Sequence, residues 1–298
     1  MISNNFEAKL KQKEDQVNQL LEDYCPKKDS FNEEIVESLK YSLLVGGKRL
    51  RPILMAETYA LFGGNEKVIE PFMVAMEMIH SYSLVHDDLP AMDNDDYRRG
   101  NKTTWSKYGE DIGILAGDAL LNFAYETAFT GVALTKNQDR AIKALKVLAK
   151  KAGIYGMIGG QSVDVKNTGR EINKETLSYI YQLKTGALIQ AAMMVGAILA
   201  GASQEEVKIV EEMALSIGMA FQIQDDILDL TATKEELGKP IQSDLKNKKI
   251  TYVTLYGMQE AKEKVNSYSK ESIKLYHSLA KENSFLESLI EFLINRRK

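Results

Sequence analysis

Two apolar helical runs in this chain end in bunched aspartates, far apart in sequence, and any fold must find a use for both. The first ends His86-Asp87-Asp88-Leu89-Pro90-Ala91-Met92-Asp93, the second Asp225-Asp226-Ile227-Leu228-Asp229. Carboxylates beside a core must be paired, hydrogen-bonded or bound to metal, because an uncompensated buried charge is strongly destabilising. On a helical wheel, positions three and four apart share a face. Gln222, Asp225, Asp226 and Asp229 fall together, as do His80, Ser83, Leu84 and Asp87. Pro90 should break the first helix and let Asp93 curl back toward Asp87. Hard oxygen donors, one or two per ion with positions left open, suit magnesium that also holds phosphates. Two such sites fit a diphosphate between them. A lone Asp-Asp-x-x-Asp is more often a solvated helix end. Two of them, each closing an apolar run and each followed by basic residues, point to function.

The remainder of the sequence reads as helix, with few prolines, abundant Ala, Leu, Glu, Lys and Ile, and no alternating strand pattern. With 44% hydrophobic residues, a chain of 298 residues can bury one large core, and a single domain over 1–298 is expected. A net charge of −4 argues against nucleic acid as the main partner. The single Cys25 cannot form an internal disulfide, and the polar first residues lack a signal segment, so a cytoplasmic setting is expected. The most apolar stretch, 186–201, is too short for a membrane span and contains Gln190, so it reads as a buried helix.

In chain order, residues 3–24 suggest a surface helix ending near Cys25-Pro26, and Ser30 and Asn32 are candidate caps for a helix reaching Val45. Gly46-Gly47-Lys48-Arg49-Leu50-Arg51-Pro52 sets three cations after a glycine pair, either as a phosphate grip or as decoration of a helix start. It is not a P-loop. Helices are expected to Phe62, from about 66 into the first acidic cluster, over 111–130, from about Thr135–Asp139, over 174–201 capped by Asn173, over 203–229, and as two in the tail from 257. Gly153 to Gly160 reads as a break. His80 is either a satisfied core histidine or a site residue, and His86 suits outer support of Asp87 better than ligation. Arg98 and Arg99 can neutralise the aspartates or bind diphosphate. Lys184 stands in an apolar span with no acidic residue within a turn, as a snorkelling lysine or something more. Basic loops follow the second cluster, with Lys239, Lys248 and Lys249, and the terminal Arg296-Arg297-Lys298 reads as solvated.

Taken together, Gly-Gly-Lys-Arg-Leu-Arg-Pro at 46–52, the aspartates at 87–93, Arg98-Arg99-Gly100, Gly117-Asp118-Ala119, Lys184-Thr185-Gly186 and Phe221-Gln222 through Asp229 resemble the trans-prenyltransferase family over nearly the whole chain. The likeness is greatest to its bacterial-type farnesyl diphosphate synthases. The resemblance implies an all-helical single-domain bundle around a deep central pocket, paired as a homodimer. It implies condensation of isopentenyl diphosphate with an allylic diphosphate, assisted by three magnesium ions. Asp87, Asp88, Asp93, Asp225, Asp226 and Asp229 would hold the metal, and Arg98, Lys184 and Lys239 the allylic diphosphate, with Lys249 still able to reach phosphate. Lys48, Arg51, His80 and Arg99 would hold isopentenyl diphosphate, and Thr185 and Gln222 would face the developing cation. Tyr82 and Ser83, five and four positions before Asp87, would floor the pocket, an aromatic there resembling enzymes that stop at fifteen carbons.

The chain departs from the family's pattern at Lys102 and Trp105, and again at Lys248-Lys249-Ile250-Thr251-Tyr252-Val253, where a glycine and a proline are usual. A geranylgeranyl diphosphate synthase is the nearest rival reading. A class I terpene cyclase mixes Asn, Ser or Thr and Glu in its second motif, and an inactive subunit would carry broken acidic motifs. This chain does neither.

Overall fold

The computed structural model describes residues 4–27, 29–231 and 249–295. They form helices joined by short turns, as the apolar periodicity requires. The N-terminal half runs α1 (Asn4–Asp23), α2 (Glu33–Leu44), α3 (Leu50–Leu61), α4 (Ile69–Asp87), α5 (Thr104–Tyr108), α6 (Glu110–Ala133) and α7 (Gln138–Ala152). It continues with α8 (Met157–Asn167), α9 (Lys174–Ile180), a π-helical segment (Tyr181–Gly186), α10 (Ala187–Ala200) and α11 (Gln204–Thr231). The last helices are α12 (Tyr252–Tyr256), α13 (Met258–Ser278) and α14 (Ser284–Asn295).

The core is built around α10, whose residues from Ala187 to Ala197 are all buried against α3, α7, α11 and α4. A helix apolar on every side must lie inside, and it does. The segment Lys174–Ala200 is long and apolar enough to cross a membrane, but 72% of its most apolar window is buried inside the fold. Helix α4 packs along α6, and α11 along α13. Both acidic clusters therefore sit on helices anchored in one core.

Several details differ from, or add to, what the sequence suggests. Helix α1 lies at the surface as expected, most of its residues exposed, but its sparse apolar positions Phe6, Leu10, Val17 and Leu21 are buried as one stripe, and Phe6 stacks on Phe285 of α14 with centroids 5.3 Å apart. Neither Ser30 nor Asn32 caps α2 through its side chain, because Asn32 Oδ1 accepts from the Asp29 N–H at 2.7 Å. The break at Gly153–Gly160 is shorter than expected, and Gly159 and Gly160 lie inside α8. A small hairpin, β1 (Tyr97–Arg98) paired antiparallel with β2 (Asn101–Lys102), follows the first cluster. Its two turn residues, Arg99 and Gly100, have φ of 53° and 78°, as a tight twisted hairpin turn requires.

The expected helix 174–201 is capped by Asn173, whose Oδ1 accepts from Thr176 N–H at 2.8 Å, but it is not regular throughout. It widens to a π turn over Tyr181–Gly186, the segment carrying Lys184 and Thr185. Two glycines of neighbouring helices abut that turn. A Cβ on Gly218 would lie 2.7 Å from Gly186 Cα, and one on Gly160 would meet the backbone of Lys184. Such single-turn widenings mark places where side chains are re-aimed.

Candidate active site

At the end of α4 the chain turns back on itself. Asp93 N–H donates to Asp87 C=O at 2.8 Å and Asp95 N–H to Asp88 C=O at 3.1 Å, with Asn94 at φ 53° completing the turn. The return of Asp93 predicted from Pro90 is therefore present. Arg98 clasps the buried Asp88, its Nε 2.8 Å and Nη2 2.6 Å from Oδ1. Lys249 Nζ lies 3.3 Å from both Asp93 oxygens. Burial pushes the Asp87 carboxyl up to about 6; Lys184, Arg98 and Lys249 work against that rise and Asp93 adds to it. Burial also raises Asp88, and Arg98 opposes the rise.

The second cluster lies at the end of α11. Asp226 is 2% exposed and has donors on both oxygens: Tyr181 O–H at 2.5 Å and Tyr252 N–H at 2.9 Å on Oδ2, and Gln222 Nε2 at 3.3 Å on Oδ1. Gln222 is thereby oriented with Oε1 toward Thr185, whose hydroxyl donates to it at 2.7 Å. Asp229 is likewise buried and Asp225 half-buried. A cavity of about 100 Å³ is lined by Asp164, Lys184, Thr185, Gln222, Asp226 and Lys249, among others. Lys249 lines this cavity and its Nζ lies 3.3 Å from Asp93, so the two clusters border one space.

A second cavity of about 30 Å³ has Glu77, His80, Asp88, Arg98 and Arg99 in its wall. Each of these two cavities has an ion pair in its wall, Asp164 with Lys184 in the first and Asp88 with Arg98 in the second. Arg51 Nη1 lies 3.3 Å from His80 Nε2. A guanidinium only donates, so Nε2 accepts and the ring proton is on Nδ1. Burial, followed by the charges of Arg51, Arg99, Arg98 and Arg49, drives the His80 pKa well below its ordinary value, so the ring is neutral at pH 7. Arg99 donates to the Gly46 carbonyl. Of the three cations in the glycine motif, Lys48 is exposed, Arg51 half-buried and Arg49 buried.

Tyr82 is 5% exposed, edge-on to His86 at 5.9 Å, and its buried hydroxyl has no partner among the described residues. Ser83 spends its hydroxyl on the His80 carbonyl at 2.9 Å. His86 Nε2 lies 3.0 Å from Ile114 C=O, so the ring packs on α6 over Gly117. Lys239 and Lys248 lie outside the described residues, as does Arg296-Arg297-Lys298.

Three contributors came from outside the motifs read in the sequence, and two of them lie on α8. Gln161 Nε2 donates to Asp87 Oδ1 at 2.5 Å, and Asp164 Oδ2 lies 2.5 Å from Lys184 Nζ. Their spacing of three places them on one helix face, a signal hidden by reading the glycines before them as a break. Tyr181, which reaches Asp226, is the third.

Among the described residues no three His, Cys, Asp or Glu side chains form a metal cage of their own. The donors present are hard carboxylate oxygens at two places on one space. That set fits a cation which takes its remaining ligands from a phosphate, rather than one enclosed by protein.

The family model described as polyprenyl synthetase matches residues 32–291. A geranylgeranyl diphosphate synthase of Cyanophora paradoxa is 44% identical over 268 residues, 88% of this chain and 87% of that protein. A farnesyl diphosphate synthase of Micrococcus luteus is 37% identical over 293 residues, 98% of this chain and 100% of that protein. Among solved structures, a geranyltransferase from Helicobacter pylori, complexed with magnesium and isoprenyl diphosphate, aligns with a TM-score of 0.85 at 29% identity, covering 99% of this chain and 98% of that one.

Proposed function

The chain belongs to the polyprenyl synthetase family, and from that premise we propose that this trans-prenyltransferase joins isopentenyl diphosphate to dimethylallyl and then geranyl diphosphate, giving farnesyl diphosphate. The observation that carries the reading is the space shared by the clusters, where Lys249 pairs with Asp93 of the first while lining a cavity with Lys184, Gln222 and Asp226.

In this reading Arg98, Lys184, Lys239 and Lys249 hold the allylic diphosphate. Lys48, Arg51, His80 and Arg99 hold isopentenyl diphosphate from the arginine-rich side. Magnesium, as three ions, would be held by Asp87, Asp88, Asp93 and Asp225, with Asp226 and Asp229 deeper, and when bound it supplies the charge withdrawal that weakens the allylic carbon–oxygen bond. Thr185 and Gln222 offer oxygen dipoles to the positive charge that develops, and Asp226 fixes their orientation. The departing diphosphate takes the proton lost after the new bond forms, so no side-chain nucleophile is required.

Product length rests on Tyr82, whose buried ring would floor the allylic chain's path. A geranylgeranyl product is the second reading, favoured by the 44% identity to the Cyanophora paradoxa enzyme. Exposed Ile114, Leu115 and Phe129 on α6 support a homodimer, and the single half-buried thiol Cys25 suits a cytoplasmic setting. Labelled isopentenyl diphosphate with each allylic starter and magnesium, followed by chromatographic sizing, tests the reading. A fifteen-carbon product is expected. A twenty-carbon product favours the rival, and no incorporation of label overturns both.

A further inference from the structure

Glu77 is a carboxylate in the wall of the arginine-rich cavity, where an anion is to be held. Left to itself it would compete with that anion for Arg99, which shares the cavity wall and on whose charge it acts. The structure gives it another partner. Arg49 Nη1 donates to Glu77 Oε1 at 2.7 Å, with the two side chains 1% and 3% exposed. The other donors of Arg49 are anchored too: Nε to Asn18 Oδ1 of α1 at 2.8 Å and Nη2 to Leu43 C=O, in the last turn of α2, at 2.8 Å. The backbone of Arg49 is left-handed, at φ 50°, which turns this residue inward while Lys48 stays exposed. Above Gly47 the two guanidinia approach each other: a Cβ on that glycine would clash with Arg99 Nη1 and stand 3.4 Å from Arg49 Nη1.

We propose that Arg49 is a positioning residue, which holds Glu77 in a buried ion pair so that Arg99 remains available to the diphosphate of the homoallylic substrate. The proposal rests on the functional reading above and adds a residue that touches no substrate. A buried pair is weak as a source of stability but costly to break on one side. Glu77 without Arg49 would have to find a new cation, and Arg99 is next to it. Arg49 without Glu77 would add positive charge to an anion site.

The two single variants should therefore act in opposite directions on substrate affinity, whatever each does to stability. With magnesium and saturating geranyl diphosphate, Arg49→Met should raise KM for isopentenyl diphosphate about 10- to 100-fold with kcat within about threefold. Glu77→Gln should lower that KM by about threefold or more. The double variant R49M/E77Q should return it to within about threefold of native, and KM for geranyl diphosphate should move less than about twofold throughout. If both single variants raise KM for isopentenyl diphosphate, or if both substrates' KM values rise together, the pair is merely structural and the proposal fails. Should Arg49→Met alone not fold, E77Q and R49M/E77Q still decide, since a raised KM in either overturns the idea. A native chain that incorporates no isopentenyl diphosphate would overturn the functional reading, and this proposal with it.

Discussion

Lys184 Nζ lies 2.5 Å from Asp164 Oδ2, across twenty residues and two helices. The lysine is half-buried in a widened π turn and its partner comes from α8, so the cation is held at the cavity wall rather than extended into solvent. A single fork-free ammonium on a four-carbon stem needs such a restraint to act as a point charge in one place.

Asp164→Asn removes the charge that orients Lys184 and leaves the shape nearly unchanged. Since misplacing a charge-stabilising group costs rate more than binding, kcat should fall about 10- to 100-fold. Thermal unfolding should move only slightly, because both side chains are partly exposed. Steady-state kinetics with isopentenyl and geranyl diphosphates, alongside a melting curve, checks this. An unchanged kcat would mean that Lys184 is held by something else.

Asp87 should make the metal-free protein sensitive to pH. Burial raises its carboxyl to about 6 in the fold, so the folded state binds a proton more tightly than the unfolded chain does. Its favourable share of stability is then complete below the unfolded carboxyl value and is lost as pH rises through about 6. In EDTA, Asp87→Asn should be the more stable protein above pH 6, by up to about 3 kcal/mol, with the difference vanishing toward pH 4. Urea unfolding of both proteins across that range measures it. His80 acts in the opposite sense in both, losing stability as pH falls below its ordinary value, so only the difference between the two proteins isolates Asp87.

Tyr82→Ala should lengthen the product. The ring is buried beside His86, and Tyr125 of α6 acts on its hydroxyl, so truncation opens space between α4 and α6. Chromatographic sizing should show the main product longer by at least one five-carbon unit. The same distribution from native and variant would show that Tyr82 does not set the length.

Much of the bundle was legible in the sequence because helix ends and apolar periods are local signals. Asn173 caps as predicted, Pro90 ends α4 and returns Asp93, and the core stripe of α11 leads into Asp225 and Asp226. The losses share one physical cause, dependence on distant partners. The stripe Phe6, Leu10, Val17, Leu21 is too sparse among polar residues to read as a core face until Phe285 and Phe292 are placed against it. Nothing in Lys48-Arg49-Leu50-Arg51 says which cation turns inward, since that is decided by Glu77 and by the left-handed backbone at Arg49. That Asp226 also takes hydrogen bonds from Tyr181 and Tyr252 could not be read, since both come from other parts of the chain. The π turn was invisible for the same reason, as its neighbours Gly160 and Gly218 belong to other helices.

Those two glycines supply the last test. Helix α11 meets the π turn so closely that a Cβ on Gly218 would stand 2.7 Å from Gly186 Cα, a backbone atom that no rotamer change can move aside. Gly218→Ala must therefore push α11 away from the turn carrying Lys184 and Thr185. Overpacking of this kind costs about 1–3 kcal/mol, partly offset by alanine's better helix propensity. The larger effect should be catalytic, because Gln222, one turn further along α11, donates to Asp226 and receives the Thr185 hydroxyl at 2.7 Å. A shift of even half an ångström would separate Thr185 from Gln222 and dull the dipoles offered to the cation. We expect kcat to fall about 10-fold or more while KM for isopentenyl diphosphate, held on the arginine-rich side, changes less than about twofold. A variant that loses stability but keeps kcat would show that the close approach of α11 serves packing alone.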